Sequence, residues 1–444
     1  MGLIIMHNMN VFDAMTEYVD RNHYVDVSDK VPVFLCSIGT HIFNGLNKCG
    51  TCPFIPVEGV EGFEIESCIL RHDKNPIYTP MSHVADTRLH ILMRGMKGSG
   101  KSVLIQLFLS PKTGLLSNMA NAEIGMGFRT DIGPNSITEA GMFGSVDEEG
   151  NIMGRPLARE MCGGFLGFEE FSSITDAGKK EHSTDIKNQL LTSTDNGRVK
   201  KVMRAGWVEY TTRYTLWAGT QPARFEMESG LDRRFFIIDI EMNPEKERLF
   251  KIAQAKQASM TPAERAELIG LADNLRNFFT ERAMEVIMNP PTALRFDDEF
   301  NEWLFRPEVR SHEADLFRRL ALGYAIMSPI YKGGDTLHIK MTDQLRSILD
   351  RCLDMRRSVM DADLRLIKTA FWNQAMSRSN LIKEVARMIT NGDYQSAKRW
   401  IEDNLHIQAW YNEERSKGGG RGRKGVSCYI GYPQASYEPK EVKQ

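Results

Sequence analysis

The chain of 444 residues lacks several things, and each absence narrows what it can do. No run of about 18 apolar residues occurs, so no segment reads as a membrane-crossing helix. The opening stretch MGLIIMHNMNVF has neither a charged leader nor a cleavage signal, and the expectation is a cytoplasmic protein, not secreted and with no membrane partner. An excess of one charge is also missing. With 56 basic and 58 acidic residues the net charge is −2, so affinity for a polyanion has to come from local patches. Cysteine is sparse and odd in number, at seven, which argues against a disulfide framework and suits a reducing compartment. What remains is an ordinary globular composition, 42% apolar, in a chain long enough for several domains.

The strongest local signal is RGMKGSGKSV, residues 94–103. Gly95-Met96-Lys97-Gly98-Ser99-Gly100-Lys101-Ser102 fits the phosphate-loop pattern Gly-x-x-x-x-Gly-Lys-Ser/Thr. It follows the apolar run Leu89 to Met93, which reads as a buried strand, and leads into Ser102 to Leu109, which reads as a helix. Backbone N–H groups at Gly98, Gly100 and Lys101 can then line one anion nest at the positive end of a helix. In that arrangement Lys101 reaches the β- and γ-phosphates, Ser102 holds Mg²⁺, and Val103 is the next nucleotide-contacting position. The expected cofactors are ATP and Mg²⁺.

Between residues 86 and 240, apolar runs alternate with polar or helical stretches, as in a parallel sheet covered by helices. GGFLGFEE, residues 163–170, is an apolar strand ending in two carboxylates. Glu169 is assigned to the magnesium water shell and Glu170 to polarising the attacking water. Tyr214 to Gly219 is a further strand that ends at Thr220 and Gln221, polar residues able to touch the γ-phosphate or that water. Arg233 and Arg234 immediately precede the strand-like run Phe235 to Ile240. An arginine placed there can complete a neighbouring subunit's site, meeting the charge on the transferring phosphoryl group.

These motifs together resemble an AAA+ ATPase of the pre-sensor-1 hairpin group, and most of all the motor domain of minichromosome maintenance (MCM) helicases. Gly127-Phe128-Arg129-Thr130 followed by Ser136 to Ala140 resembles the family's Gly-Arg-rich segment. GGFLGFEEF resembles its Walker B run, with Glu169 in place of the usual aspartate. The resemblance implies that Thr220 and Gln221 stand at sensor 1 and that Arg234 is the arginine finger. It also implies a strand-turn-strand hairpin over Asn196 to Val208, with Lys200, Lys201 and Arg204 as basic residues facing DNA in a ring channel. The run Val309 to Ala321 resembles the lid helix carrying sensor 2. The expected position falls near His312, so Arg310, Arg318 and Arg319 stay open, with Arg319 the expected nucleotide contact. The expected assembly is a homo-oligomer, a hexameric ring.

The expected fold class is α/β: a P-loop core with a helical lid, preceded by a small mixed domain and followed by a winged helix. The boundaries are 1–85, 86–243 for the core with its basic hairpin, 244–360 for the lid, 361–434 for the winged helix, and 435–444 as a tail. In the first domain Val31 to Leu35 and Glu64 to Leu70 read as strands. Cys36, Cys49, Cys52 and Cys68 supply enough soft ligands for Zn²⁺, but only the Cys49/Cys52 spacing is metal-like, and scattered small hydrophobes are the preferred reading. In the last domain, helices Asp363 to Gln374, Ser377 to Met388 and Tyr394 to Asn404 precede strands Ile407 to Asn412 and Val426 to Tyr432, with a basic turn between. Lys398 and Arg399 on the third helix, and Arg421, Arg423 and Lys424 on the wing, are candidate DNA contacts; protein docking is the alternative.

Three functions fit. The first is an ATP-driven DNA helicase or translocase in replication, alongside replication proteins; because 85 residues cannot hold the large N-terminal domain of that family, a viral or mobile-element protein is expected. The second is an initiator or DNA-remodelling ATPase without processive unwinding. The third is a non-catalytic ATP-binding protein, against which intact Lys101, Ser102 and Glu170 argue.

Overall fold

Four short, mostly apolar runs and the tripeptide Thr130–Ile132, each too brief for a buried helix, become the strands of one parallel sheet. The computed structural model describes residues 9–44, 88–95, 97–119, 129–134, 136–150, 152–171, 184–195, 197–204, 206–221, 233–240, 244–288, 291, 293–331, 333–334, 336–371, 374–406, 411–415 and 426–430. Two helices come first, α1 (Val11–Arg21) and α2 (Val31–Asn44). Strand β1 (His90–Gly95) leads through the glycine loop into α3 (Lys101–Leu109). Then follow β2 (Thr130–Ile132), α4 (Glu139–Phe143), a small hairpin of β3 (Ser145–Val146) and β4 (Ile152–Met153), α5 (Leu157–Glu160) and β5 (Phe165–Phe168). Helix α6 (Thr184–Asp195) precedes a second hairpin, β6 (Arg198–Met203) with β7 (Gly206–Thr211), and the sheet is completed by β8 (Thr215–Thr220) and β9 (Phe235–Ile240).

The sheet order is β2-β5-β8-β1-β9, so β8 lies between β1, which leads into the glycine loop, and β5, which is followed by Glu169 and Glu170. All of its strand pairs are parallel, which brings the carboxyl ends of β1, β5 and β8 to one edge, where open α/β sheets place their ligand sites. The helical region contains α7 (Pro244–Ser259), α8 (Pro262–Met288), α9 (Asp298–Leu304) and α10 (Ala314–Met327), with β10 (Ala293–Phe296) paired in parallel to β11 (Thr336–Ile339).

The opposite edge of the sheet is closed by buried polar groups that find partners. The Arg88 guanidinium donates to Tyr214 O and, at 2.9 Å, to Ser193 O. His90 Nε2 donates to Thr194 O at 3.0 Å while its Nδ1 accepts from Leu216 N. His41 Nε2 donates to Gly163 O at 3.0 Å and its Nδ1 meets Thr215 Oγ1 at 2.7 Å. Trp217 Nε1 donates to Ser37 Oγ, which donates to Leu89 O.

Val31 to Leu35, read above as a strand, is the first turn and a half of helix α2. The helix continues for 14 residues and is buried along its described length, and an element buried all round is a core helix rather than a strand. Helix α2 crosses α10 with backbones in contact: a Cβ on Gly39 would strike Gly323 O, and one on Gly323 would strike Cys36 O. Cys36 is thereby buried, and burial pushes its thiol well above the ordinary range. Glu64 to Leu70, Cys49, Cys52 and Cys68 lie outside the described residues.

The chain divides into two compact units, one of Met1–Thr220 with Gly230–Asp354 and one of Gln221–Ser229 with Met355–Gln444. Within the second, the end of α11 (Asp343–Phe371) is followed by β12 (Gln374–Ser377), α12 (Arg378–Met388), α13 (Tyr394–Trp400), β13 (Tyr411–Arg415) and β14 (Val426–Ile430). The antiparallel order β12-β14-β13 with its helices is the winged-helix arrangement, closed over Ile367, Leu381, Val385, Trp400, Leu405 and Ile430. Three boundaries differ from expectation. The first helix ends at Phe371, a strand follows at Gln374–Ser377, and the strand expected at Ile407 to Asn412 runs on to Arg415 over its described residues, Tyr411–Arg415, with 407–410 outside them. The chain is thus α/β, with a small N-terminal region, a central parallel sheet flanked by helices, and a C-terminal winged helix.

Candidate active site

Strand β1 is buried along its length and releases the chain at Gly95, where a side chain would strike Ser99 Oγ and Ile240 O. Gly98 and Gly100 adopt φ of 85° and 89°, the left-handed region that glycine enters without steric cost. These two left-handed residues carry the loop into α3, with Gly100 as an N-cap that makes no side-chain hydrogen bond. The helix therefore presents its first N–H groups without a side-chain acceptor from its cap, the condition for anion capture. Lys101, buried at the start of that helix, curls back to donate from Nζ to Gly95 O at 2.7 Å and lies 3.4 Å from Ser99 Oγ. Burial pulls its ammonium below the usual range, and the nearby Glu170 charge works against that. Ser102 is half-buried, Lys97 and Val103 are exposed, and Met96 lies outside the described residues.

The carboxylates and the β8 terminus converge on the same place. In register Phe168 faces Ala218 and Arg94 faces Thr220, so Glu169, Glu170 and Thr220 follow at one sheet edge. Gly219 is needed there because a Cβ would fall 2.6 Å from Glu169 O and 3.4 Å from Lys101 Cβ, and Phe171 N donates to Gly219 O at 2.6 Å. Thr220 is 1% exposed, and its Oγ1 has no hydrogen-bond partner among the described residues. A buried hydroxyl left unpaired costs about 1–3 kcal/mol, so a ligand oxygen or water at this edge is the natural acceptor or donor for it. Gln221 follows directly at the end of β8.

The sequence reading overlooked Gln106, whose Nε2 donates to Glu169 Oε1 at 2.6 Å and orients that carboxylate. Its signal was available: Gln106 lies four residues after Ser102 and so shares a helix face with it. Phe250 on α7 was also overlooked. Its ring comes within 3.6 Å of the position a Cβ on Gly100 would take, so α7 flanks the loop.

Other candidates are placed elsewhere. Arg319 is buried and donates from Nη1 to Arg88 O at 3.0 Å, which puts it at the amino end of β1, away from the loop at its carboxyl end. Arg318 pairs with Asp315 on its own helix. Arg234 is half-buried; its Nε donates to Leu191 O at 2.9 Å and its Nη2 meets Asp195 Oδ2 at 3.0 Å, both at the end of α6.

The basic run 198–204 does form the antiparallel hairpin β6–β7. Strand alternation separates its lysines, however. Lys200 is exposed and pairs with Glu209, while the Lys201 side chain is only 11% exposed and turns inward to Glu139 Oε1 at 3.1 Å. Lys201 is thus a brace between β6 and α4 in this chain, and Arg204 is the exposed cation of the turn. In the winged unit Lys398 and Arg399 are both exposed on α13, which Asp393 caps; Arg421, Arg423 and Lys424 lie outside the described residues. Among the described residues no three His, Cys, Asp or Glu side chains gather as a metal site, and no helix is long and apolar enough to cross a membrane. A scan against protein-family models finds no match for the chain, and a search of curated proteins finds no relative.

Proposed function

We propose that the chain is an ATP-hydrolysing AAA+ motor of the pre-sensor-1 hairpin kind, resembling the MCM helicases, which moves or separates DNA strands in the replication of a viral or mobile element. The observation that carries this reading is the meeting, on one sheet edge, of the left-handed glycine loop, Lys101, Glu169 with Glu170, and the unpaired Thr220 hydroxyl. The interposed β8 and the hairpin that precedes it support the same reading.

The residues fit a nucleotide with magnesium. The start of α3 and Lys101 suit a polyphosphate; the Ser102 hydroxyl and the Glu169 carboxylate are hard oxygen donors of the type Mg²⁺ takes. Bound Mg²⁺ would supply neutralisation of charge on the β- and γ-phosphate oxygens. Lys101 exchanges its bond to Gly95 O for a phosphate oxygen. Glu170 accepts a proton from the water whose oxygen bonds to the γ-phosphorus, as the bond from that phosphorus to the β-phosphate's bridging oxygen breaks to leave ADP and phosphate. Thr220, with Gln221 beside it, holds that water or a γ-oxygen in line. Arg234 of one subunit serves the site of its neighbour in a ring, for which its Asp195 pairing must open.

Nucleotide binding and turnover of two variants test this. Lys101→Ala is expected to lose most ATP binding. Glu170→Gln is expected to bind ATP normally and to hydrolyse it about 10²–10⁴-fold more slowly, the range for a general base. Normal turnover by the glutamine variant overturns the assignment.

The exposure of Lys398 and Arg399 on α13 favours a second reading, in which the winged helix selects a duplex site and the motor remodels it locally, as in an initiator. A forked substrate separates the two: strand displacement that grows with duplex length supports the helicase, and nucleotide-dependent melting confined to one end supports the initiator.

A further inference from the structure

The hairpin β6–β7 has two faces of opposite character. Inward, Val199 and Val208 are buried, Tyr210 Oη donates to Phe143 O at 3.1 Å, and Lys201 is tied to Glu139. The Gln189 side chain of α6 braces the strand by donating to Lys200 O at 2.9 Å. Outward, the register pairs Lys200 with Glu209 and Val202 with Trp207. Here Trp207 is 56% exposed and Val202 66% exposed, side by side on a face that no described element covers. Lys200 Nζ stands 4.8 Å from the centre of the Trp207 ring, Arg198 pairs with Glu209, and Arg204 follows at the turn. Arg198 and Lys200 thus share one carboxylate, Lys200 lies over one face of the Trp207 indole, and the ring is otherwise more than half exposed.

Accepting the hairpin as the nucleic-acid element of the motor, we propose that this outward face is a stacking platform for an unpaired base, with Trp207 against the base and Arg198, Lys200 and Arg204 against the flanking phosphates. The substrate class follows from the chemistry. A large exposed aromatic ring among cations matches the two features of a single strand, an accessible π-face and a charged backbone; a duplex offers only the second. The strand's backbone charge favours nucleic acid over an apolar protein partner at this patch. Glu209 lowers the net charge of the face, which leaves more of the affinity to stacking. Its carboxyl is held below the usual range by the hydrogen bond from Arg198, then by Lys200, so it stays ionised at neutral pH.

The experiment measures binding of the full chain to a labelled oligothymidine strand, to a strand of equal length with abasic sites, and to a duplex, across a salt series. The wild-type protein is expected to prefer oligothymidine over the abasic strand. Trp207→Ala should lose about 10-fold on oligothymidine, the scale of one base stack, with abasic binding and the salt slope unchanged. Trp207→Phe should keep the preference. Lys200→Ala should weaken both strands alike and lower the single-strand salt slope by about 0.7, one phosphate contact. Because Trp207 and Lys200 are exposed, thermal melting should be unaltered, which separates these effects from misfolding.

Equal loss on both strands, or no loss, with Trp207→Ala overturns the stacking platform while the hairpin remains a nucleic-acid contact. If Lys200→Ala is also without effect, the hairpin reading itself falls. A Trp207→Ala variant that changes particle size but not strand binding identifies the face as a contact between copies and likewise overturns the proposal.

Discussion

The two edges of the central sheet are made from the same strands, yet the polar side chains that mark them are held differently. At the amino edge Arg88, His90, His41 and Ser37 are all buried, and each has hydrogen-bond partners in strands or helices distant in sequence. At the carboxyl edge Thr220 is equally buried with its hydroxyl unpaired, α3 starts without a side-chain cap, and Lys101 is parked on a carbonyl of its own loop. Satisfied polar groups hold the fold at the amino edge, whereas the Thr220 hydroxyl is an unpaired one that lies beside the glycine loop and the two glutamates.

Substitutions at both edges sharpen or break that contrast. The largest effect on folding is expected from Arg88→Ala. It removes bonds to Tyr214 O and Ser193 O and leaves both carbonyls buried, so denaturant titration should show a loss of about 3 kcal/mol or more. Next comes Arg234→Ala, which should bind ATP, hydrolyse it about 10²-fold or more slowly, and regain partial turnover when mixed with Lys101→Ala subunits. Normal hydrolysis by Arg234→Ala alone would make Arg234 a structural tie to α6. Thr220→Val keeps shape and deletes the unpaired hydroxyl. Stability should hold or rise by up to about 1 kcal/mol while turnover falls about tenfold. A stability loss on the scale of Arg88→Ala would erase the distinction between the edges. The smallest effect is expected from Lys201→Ala: about 1 kcal/mol or less of stability, through Glu139, and a smaller change in DNA binding than Lys200→Ala produces.

The sequence was legible where chemistry is local. The glycine loop could be read because Gly98 and Gly100 must take left-handed backbone and because the strand before and helix after are short and regular. The winged unit was legible from the spacing of its helices, but its first strand, QAMS, is too short and polar to announce itself. VPVFL misled because a five-residue β-branched apolar run looks the same in a buried strand and in a buried helix; only its continuation to Asn44 decides. Lys200 and Lys201 form one basic patch in the sequence because they are adjacent, which in a strand is the reason they point apart. Arg319 matched a lid arginine by position in a helical run, yet its partner is the carbonyl of Arg88, 231 residues away, which no local pattern encodes. The same holds for the network at the amino edge, whose acceptors are mostly backbone carbonyls and so carry no residue signature.

The crossing of α2 and α10 at Gly39 and Gly323 also sets a schedule for the newborn chain. Helix α2 is a largely apolar segment, and the surface that covers its Gly39 side is made about 280 residues later. At roughly 5–20 residues per second, that interval is on the order of 15 to 60 s, during which the segment has left the ribosome without its cover. Synthesis that halts before Met327 leaves the α10-facing side of this segment bare, so truncated products should partition into aggregates or onto holdase chaperones. Chains that reach Met327 gain the means to bury their beginning.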